Sequence, residues 1–208
     1  MRSAVILCAG NSLRFSAGSE NKTLYLLNGK PIFVYSLETL TKVGFDLIVL
    51  VVKPDEKKKF EKYIQDEEIR IVNGGKRRQD SVMNALEVIP PESAVLIHDG
   101  ARPFLTVDLI KRVLNDISSK RCVVPAIKSE DAIRIEDGGK YRFVDRNKIF
   151  RMQTPQGCIA GELLDLYRRF FEIDLLDDAM AFEMANLDVH LVDGDKKNIK
   201  VTTKDDVY

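Results

Sequence analysis

Ser3-Ala-Val-Ile-Leu-Cys-Ala-Gly-Asn-Ser-Leu-Arg-Phe15, followed by Asn21-Lys22 and then by Leu27-Asn-Gly-Lys-Pro31, decides how the rest of the chain is read. Ala4 to Leu7 is a short continuous apolar run, the pattern of a buried strand. Ala9 and Gly10 follow at once. Small residues at the C-terminal end of a strand let a ligand press against the backbone, and successive backbone N–H groups in such a loop form an anion-binding concavity. Arg14 and Lys22 then place two cations in the same loop. Little side-chain bulk, free N–H groups and two cations suit a polyphosphate. Neither Gly-x-Gly-x-x-Gly nor Gly-x-x-x-x-Gly-Lys-Ser/Thr is present here, so the loop is neither a dinucleotide fingerprint nor a P-loop.

Working outward, strands alternate with helices. Ile32, Val34, Tyr35 and Leu37 recur at helical spacing over 31–41, and Leu47 to Val52 is a β-branched strand. Pro54 to Ile64 reads as a charged helix, Ile69 to Val72 as a strand ending in Asn73-Gly-Gly, and about Gln79 to Val88 as a helix with Val82, Leu86 and Ile89 inward. Ala94 to Ile97 is a strand ending in His98-Asp-Gly-Ala-Arg-Pro. Thr106 caps the next helix, and Cys122 to Ile127 is another strand. This rhythm predicts one α/β domain over 1–208 with a mostly parallel central sheet and helices on both faces. Ligands of such sheets bind beyond the carboxyl ends of the strands.

The rhythm breaks at Lys128. Ile133 to Val144 alternates on both sides of Asp137-Gly-Gly139, which predicts a hairpin arm at about 128–146 with Ile133, Ile135, Tyr141 and Phe143 as its apolar face. An isolated hairpin is marginal in water, so it either folds back on its own domain or packs on a second copy; the dimer arm is favoured. Helices are expected over 161–171 and from Leu176 to about Ala185, with Asp177 and Asp178 as favourable acids at the second start. Asp188 to Val192 is read as a strand, Asn198 to Val201 as the last strand, and 202–206 as the start of a helix left short at Tyr208.

Composition narrows the classes. Lys+Arg and Asp+Glu both number 32, which argues against broad nucleic-acid binding. Cys8, Cys122 and Cys158 offer no Cys-x-x-Cys, hence no disulfide framework or zinc pattern. The apolar run after Arg2 falls short of the ~7–15 residues of a signal-peptide core, and no stretch approaches the ~20 apolar residues of a membrane span. The expected location is the cytoplasm.

Six pieces, in order, carry a family resemblance: Ala9-Gly10 with Arg14 and Lys22; Gly74-Gly75 with Arg78 and Asp80-Ser-Val82; His98-Asp-Gly-Ala-Arg-Pro103; Asp145-Arg146; Gln153-Thr-Pro-Gln156; and Asn198-Ile-Lys-Val-Thr202. The chain resembles the 2-C-methyl-D-erythritol 4-phosphate cytidylyltransferases over nearly its whole length. The resemblance implies a Rossmann-like nucleotide-diphospho-sugar transferase fold, a homodimer built by the projecting arm, and Mg²⁺. It also implies transfer of CMP from CTP to the polyol phosphate with release of pyrophosphate. By that resemblance Arg14 and Lys22 stabilise the transition state, and Lys200 holds nucleotide phosphates. Asp99 sits by the ribose or the metal. Ser81 with the backbone of Ala9, Gly10 and Gly75 reads cytosine, and Arg102, Arg146 and Thr154 form the polyol phosphate pocket. The chain departs from the family pattern at Lys76, where an acid can read the cytosine amino group, and at Ala132, in place of a phosphate-binding Thr. A cytidylyltransferase for another polyol phosphate such as ribitol 5-phosphate, or a non-catalytic nucleotide-binding module, are the competing readings.

Overall fold

The computed structural model describes residues 1–16, 20–64 and 66–207. Twelve strands and seven α-helices follow in the order β1 (Arg2–Leu7), α1 (Leu13–Ser16), β2 (Leu26–Leu27), β3 (Lys30–Pro31), α2 (Ile32–Val43), β4 (Leu47–Val52), α3 (Lys57–Glu61), β5 (Ile69–Asn73), α4 (Arg78–Leu86), β6 (Ala94–Asp99), α5 (Val107–Asp116), β7 (Arg121–Lys128), β8 (Ile133–Asp137), β9 (Lys140–Val144), β10 (Phe150–Met152), β11 (Gln156–Ile159), α6 (Ala160–Arg169), α7 (Asp178–Met184) and β12 (Asp188–Asp193). Eight of the strands form one sheet in the order β10-β7-β11-β6-β1-β4-β5, with β12 parallel to β7.

The apolar runs of the central strands serve two cores because successive side chains point to opposite faces. Leu47, Val49 and Val51 of β4 join Val5 and Ile97 beneath α4, α6 and α7. Ile48, Leu50 and Val52 join Ala4 and Ile6 beneath α2 and α5. Burial on both faces is why these strands read as continuous rather than alternating hydrophobic stretches. Thr106 caps α5 as expected, its hydroxyl accepting from the Leu109 N–H at 3.2 Å.

The sheet is mostly parallel, as expected, with two antiparallel members: β11 runs antiparallel between β6 and β7, and β10 antiparallel to β7. Met152 lies opposite Ala126 but Gly157 opposite Val123, so two extra residues enter the strand around the cis Thr154–Pro155 bond. Two expectations are corrected. Asn198 to Val201 forms no strand. β12 already occupies that side of β7, and the segment folds over the sheet end, where the Val201 N–H donates to the Ala101 carbonyl at 2.8 Å. The expected helix over 54–64 is a 3₁₀ turn (Pro54–Glu56) and the short α3, in which Phe60 is the one buried anchor.

The hairpin forms, but not with the expected face. Gly138 and Gly139, both at positive φ, make a two-residue turn that sets Asp137 opposite Lys140. Odd positions therefore pair with even ones: Ile133 with Val144, Arg134 with Phe143, Ile135 with Arg142, Glu136 with Tyr141. Directly opposed residues share a face, so Ile133 and Ile135 lie on one side, Tyr141 and Phe143 on the other. Tyr141 and Phe143 are 74 % and 66 % exposed. No described helix is long and apolar enough to cross a membrane.

Candidate active site

β1 connects outward to β4 and β5, and the chain then returns to place β6 on the other side of β1. The order reverses between β1 and β6, and such a switch point opens a crevice at the strand ends. A cleft of about 340 Å³ lies there, lined by the loops after β1, β5 and β6 and by Lys200. That volume is at the lower end for small-molecule sites.

Its floor is built by close backbone approach. A Cβ on Gly74 would lie 2.3 Å from that of Ala9, and one on Gly75 2.3 Å from that of Asp80, so neither position admits a side chain as the backbone stands. Among the described residues no hydrogen bond occupies the N–H groups of Ala9 or Gly10. The Gly75 N–H, by contrast, donates to Ser81 Oγ at 3.0 Å, and that hydroxyl donates to the Arg77 carbonyl at 3.2 Å.

Cations surround one carboxylate. Lys200 Nζ lies 2.6 Å from Asp99, and Arg78 and Arg102 each approach it to 3.9 Å. Burial alone would raise the Asp99 carboxyl; Lys200, Arg78 and Arg102 outweigh it and hold the group well below the usual carboxylate range. Lys22 is half-buried, and its pKa is lowered first by burial, then by repulsion from Lys200 and, more weakly, from Arg14. Arg14 itself is exposed on α1. Ala9, Gly10, Lys22, Gly75, Ser81, Asp99 and Lys200 thus meet in one cleft, with Arg14 beside it.

The other expected residues stand elsewhere. Thr154 is buried behind the cleft, its hydroxyl accepting from the Asp99 N–H at 3.0 Å and lying 3.2 Å from His98 Nδ1. Arg102 is nearly buried and donates to the Asn198 carbonyl at 2.7 Å. Arg146 is exposed at the base of the arm and donates to the Glu130 carbonyl at 2.8 Å. Asp178, read as a helix-start acid, is fully buried and grips Arg78 through two hydrogen bonds of 2.9 and 2.7 Å while accepting from the Tyr167 hydroxyl at 2.5 Å. Burial opposes the Arg78 charge, but Asp178 outweighs it and raises that pKa well above the ordinary value. The sequence carries no local sign of this pair: its members are 100 positions apart.

His98 is fully buried, and burial lowers its pKa to about 4. Its Nε2 faces the Arg102 carbonyl, an acceptor only, so the proton sits on Nε2 and Nδ1 accepts from Thr154. The unfolded chain binds this proton near pH 6.5. Unfolding therefore takes up a proton between the two values, and stability is complete above pH 6.5 and lost toward pH 4. Thermal melts should fall over that window by an amount on the order of 3 kcal/mol, and His98→Asn should flatten the fall.

An α/β sheet with a bare-backbone, cation-lined cleft at its switch point is built to take a phosphate-bearing ligand such as a nucleotide. A sequence model of the 2-C-methyl-D-erythritol 4-phosphate cytidylyltransferases matches residues 3–208. The chain belongs to that family. Relatives of that name from Clostridium acetobutylicum and Bacillus mycoides are 34 % and 35 % identical, each alignment covering 100 % of this chain and 95 % of the relative. Among solved structures, the 4-diphosphocytidyl-2C-methyl-D-erythritol synthase of Anaerococcus prevotii superposes with a TM-score of 0.86 at 30 % identity, covering 100 % of this chain and 92 % of that one. The Francisella tularensis cytidylyltransferase gives 0.81 at 28 %, covering 100 % and 97 %. The fold is therefore Rossmann-like, and the chain is a CTP-dependent cytidylyltransferase.

Proposed function

We propose that the cleft transfers CMP from CTP to 2-C-methyl-D-erythritol 4-phosphate, in isoprenoid precursor synthesis. A phosphate oxygen of the polyol phosphate bonds to the α-phosphorus of CTP, and the bond from that phosphorus to the bridging oxygen breaks, releasing pyrophosphate. The attacking monoester is already largely dianionic at neutral pH and needs no base. The obstacle is repulsion: two unit charges ~4 Å apart cost about 4 kcal/mol at an effective dielectric near 20. The observation that carries the reading is the convergence of Lys22 and Lys200, with Arg14 alongside, on the bare Ala9–Gly10 backbone. Fixed cations aimed at developing charge are the largest lever available to such a transfer.

Lys22 and Arg14 stabilise charge at the reacting phosphorus. Lys200 and the Ala9 and Gly10 N–H groups hold the triphosphate. Ser81 and Gly75 face the base, with Lys76 at the same rim. Asp99 stays ionised among its cations, and one carboxylate plus substrate phosphates is the usual setting for Mg²⁺. Asp99 would hold it; when bound, the ion neutralises phosphate charge. Arg102 and Thr154 back Asp99, and in this reading they serve the polyol phosphate. Arg146 serves the pocket of a second copy. That role goes with a homodimer joined through the arm, whose exposed Tyr141 and Phe143 need a cover. Three free, buried cysteines agree with a reducing cytoplasm.

Pyrophosphate release measured with CTP, Mg²⁺ and each polyol phosphate in turn tests the assignment. Methylerythritol phosphate should turn over fastest. Faster turnover of ribitol 5-phosphate would move the substrate, and CTP binding without pyrophosphate release would leave a nucleotide-binding module. For the dimer, light scattering should give twice the 23.6 kDa chain mass, and Tyr141→Asp with Phe143→Asp should give monomers with weakened turnover.

A further inference from the structure

We propose that Asn21 and Glu56 form a buried brace that fixes Lys22 against the end of β1, which makes both of them positioning residues for the transfer. The proposal rests on the reading of the cleft given above. Asn21 is 6 % exposed and spends its whole amide. Nδ2 donates to the Cys8 carbonyl and to Glu56 Oε2, both at 2.7 Å; Oδ1 accepts from the Thr23 N–H at 3.1 Å and the Thr23 hydroxyl at 2.8 Å. The next residue along is Lys22. Its own N–H donates to Ser12 Oγ at 3.0 Å, and its carbonyl accepts from the Tyr25 N–H at 3.1 Å. The backbone carrying the ammonium is therefore tied to the same strand end that supplies Ala9 and Gly10.

Glu56 is the informative member. It is 8 % exposed, does not line the cleft, and among the described residues has one further side-chain partner, Lys59, at 3.8 Å on the solvent side. Burying a carboxylate is costly, and a well-packed apolar residue often serves stability as well as a buried ion pair does. What the carboxylate does here is hold the Asn21 amide in the orientation that grips Cys8. The need is electrostatic. Lys200 and Arg14 repel Lys22 while Asp99 and Asp206 attract it, so where the ammonium rests among these opposed charges depends on the backbone that anchors it. Misplacing a catalytic group by about 1 Å costs on the order of 100-fold in rate.

The test compares pyrophosphate release by the wild type, Asn21→Ala, Glu56→Ala, Lys22→Ala and Asn21→Ala/Lys22→Ala. Asn21→Ala should lower kcat about 100-fold with the KM for CTP changed less than about 3-fold, and Glu56→Ala should act in the same direction without removing any cleft atom. On the Lys22→Ala background, Asn21→Ala should add nothing, because its effect passes through that side chain. Wild-type kcat in Asn21→Ala, or a full additional loss in the double variant, would overturn the proposal. Amide hydrogen exchange at Lys22 to Tyr25 reads the brace without turnover. It should quicken about tenfold or more in both single brace variants, and unchanged protection would overturn the brace even if the wild type proved to act on another substrate.

Discussion

Lys22→Ala is expected to lower kcat about a thousandfold while the Kd for CTP moves less than tenfold. The first number follows from removing a fixed charge that acts at the reacting phosphorus, an effect typically worth 10²–10³ in rate. The second follows from redundancy: Lys200 and the Ala9–Gly10 backbone still line the cleft and hold the triphosphate. A change confined to KM would instead mean that Lys22 binds substrate and transition state alike. The pH profile adds an independent mark. Burial and the neighbouring Lys200 and Arg14 weaken the hold of Lys22 on its proton. Turnover should therefore decline on the alkaline side before the range of an ordinary lysine is reached, and Lys22→Ala should abolish that limb. Single-turnover kinetics with titration calorimetry for CTP would check both.

Asp178→Ala carries the second large effect, on stability as well as turnover. Removing one partner of a buried pair costs about 3–5 kcal/mol because the other charge is left uncompensated. For a chain of this size that is a fall in Tm of about 10 °C. Arg78 would lose both hydrogen bonds to Asp178, leaving the Tyr167 hydroxyl, 3.5 Å away, as its remaining polar contact on that side. Its approach to Asp99 would loosen with it. The pair Arg78→Met with Asp178→Leu should recover much of the Tm, since apolar replacements of a buried ion pair are often neutral or better. It should not recover turnover, because Arg78 lines the cleft. Recovery of both would reduce Arg78 to a structural residue.

Residue types with one dominant physical use were the legible part of this chain. Leu47 to Val52 reads as a strand and is one with the same bounds, since the run is short, rich in β-branched Ile and Val, and buried on both faces. Thr106 reads as a cap and Asp137-Gly-Gly139 as a turn for similarly local reasons. In the site, the cations and glycines of the loops stood out because a polyphosphate needs them. What stayed hidden depends on partners distant in sequence. β11 has four residues, one of them Gly157, and its strand character comes from pairing with β6 and β7 rather than from a local pattern. Ile199 and Val201 carry strand-forming side chains but meet no free edge. Alternation shows each strand's period and not the register between them, so it puts on one face apolar residues that the register sets on two. Asp178 looked like any helix-start acid until Arg78 arrived from the other half of the molecule.

The Lys200–Asp99 contact sets how the cleft answers to salt. The ammonium is already matched to a carboxylate at 2.6 Å, so a triphosphate arriving there trades one anion for another instead of stripping bound chloride from a bare cation. Few small ions are released in such a trade. Nucleotide affinity should therefore decline with ionic strength less steeply than the number of lysines and arginines around the cleft would imply.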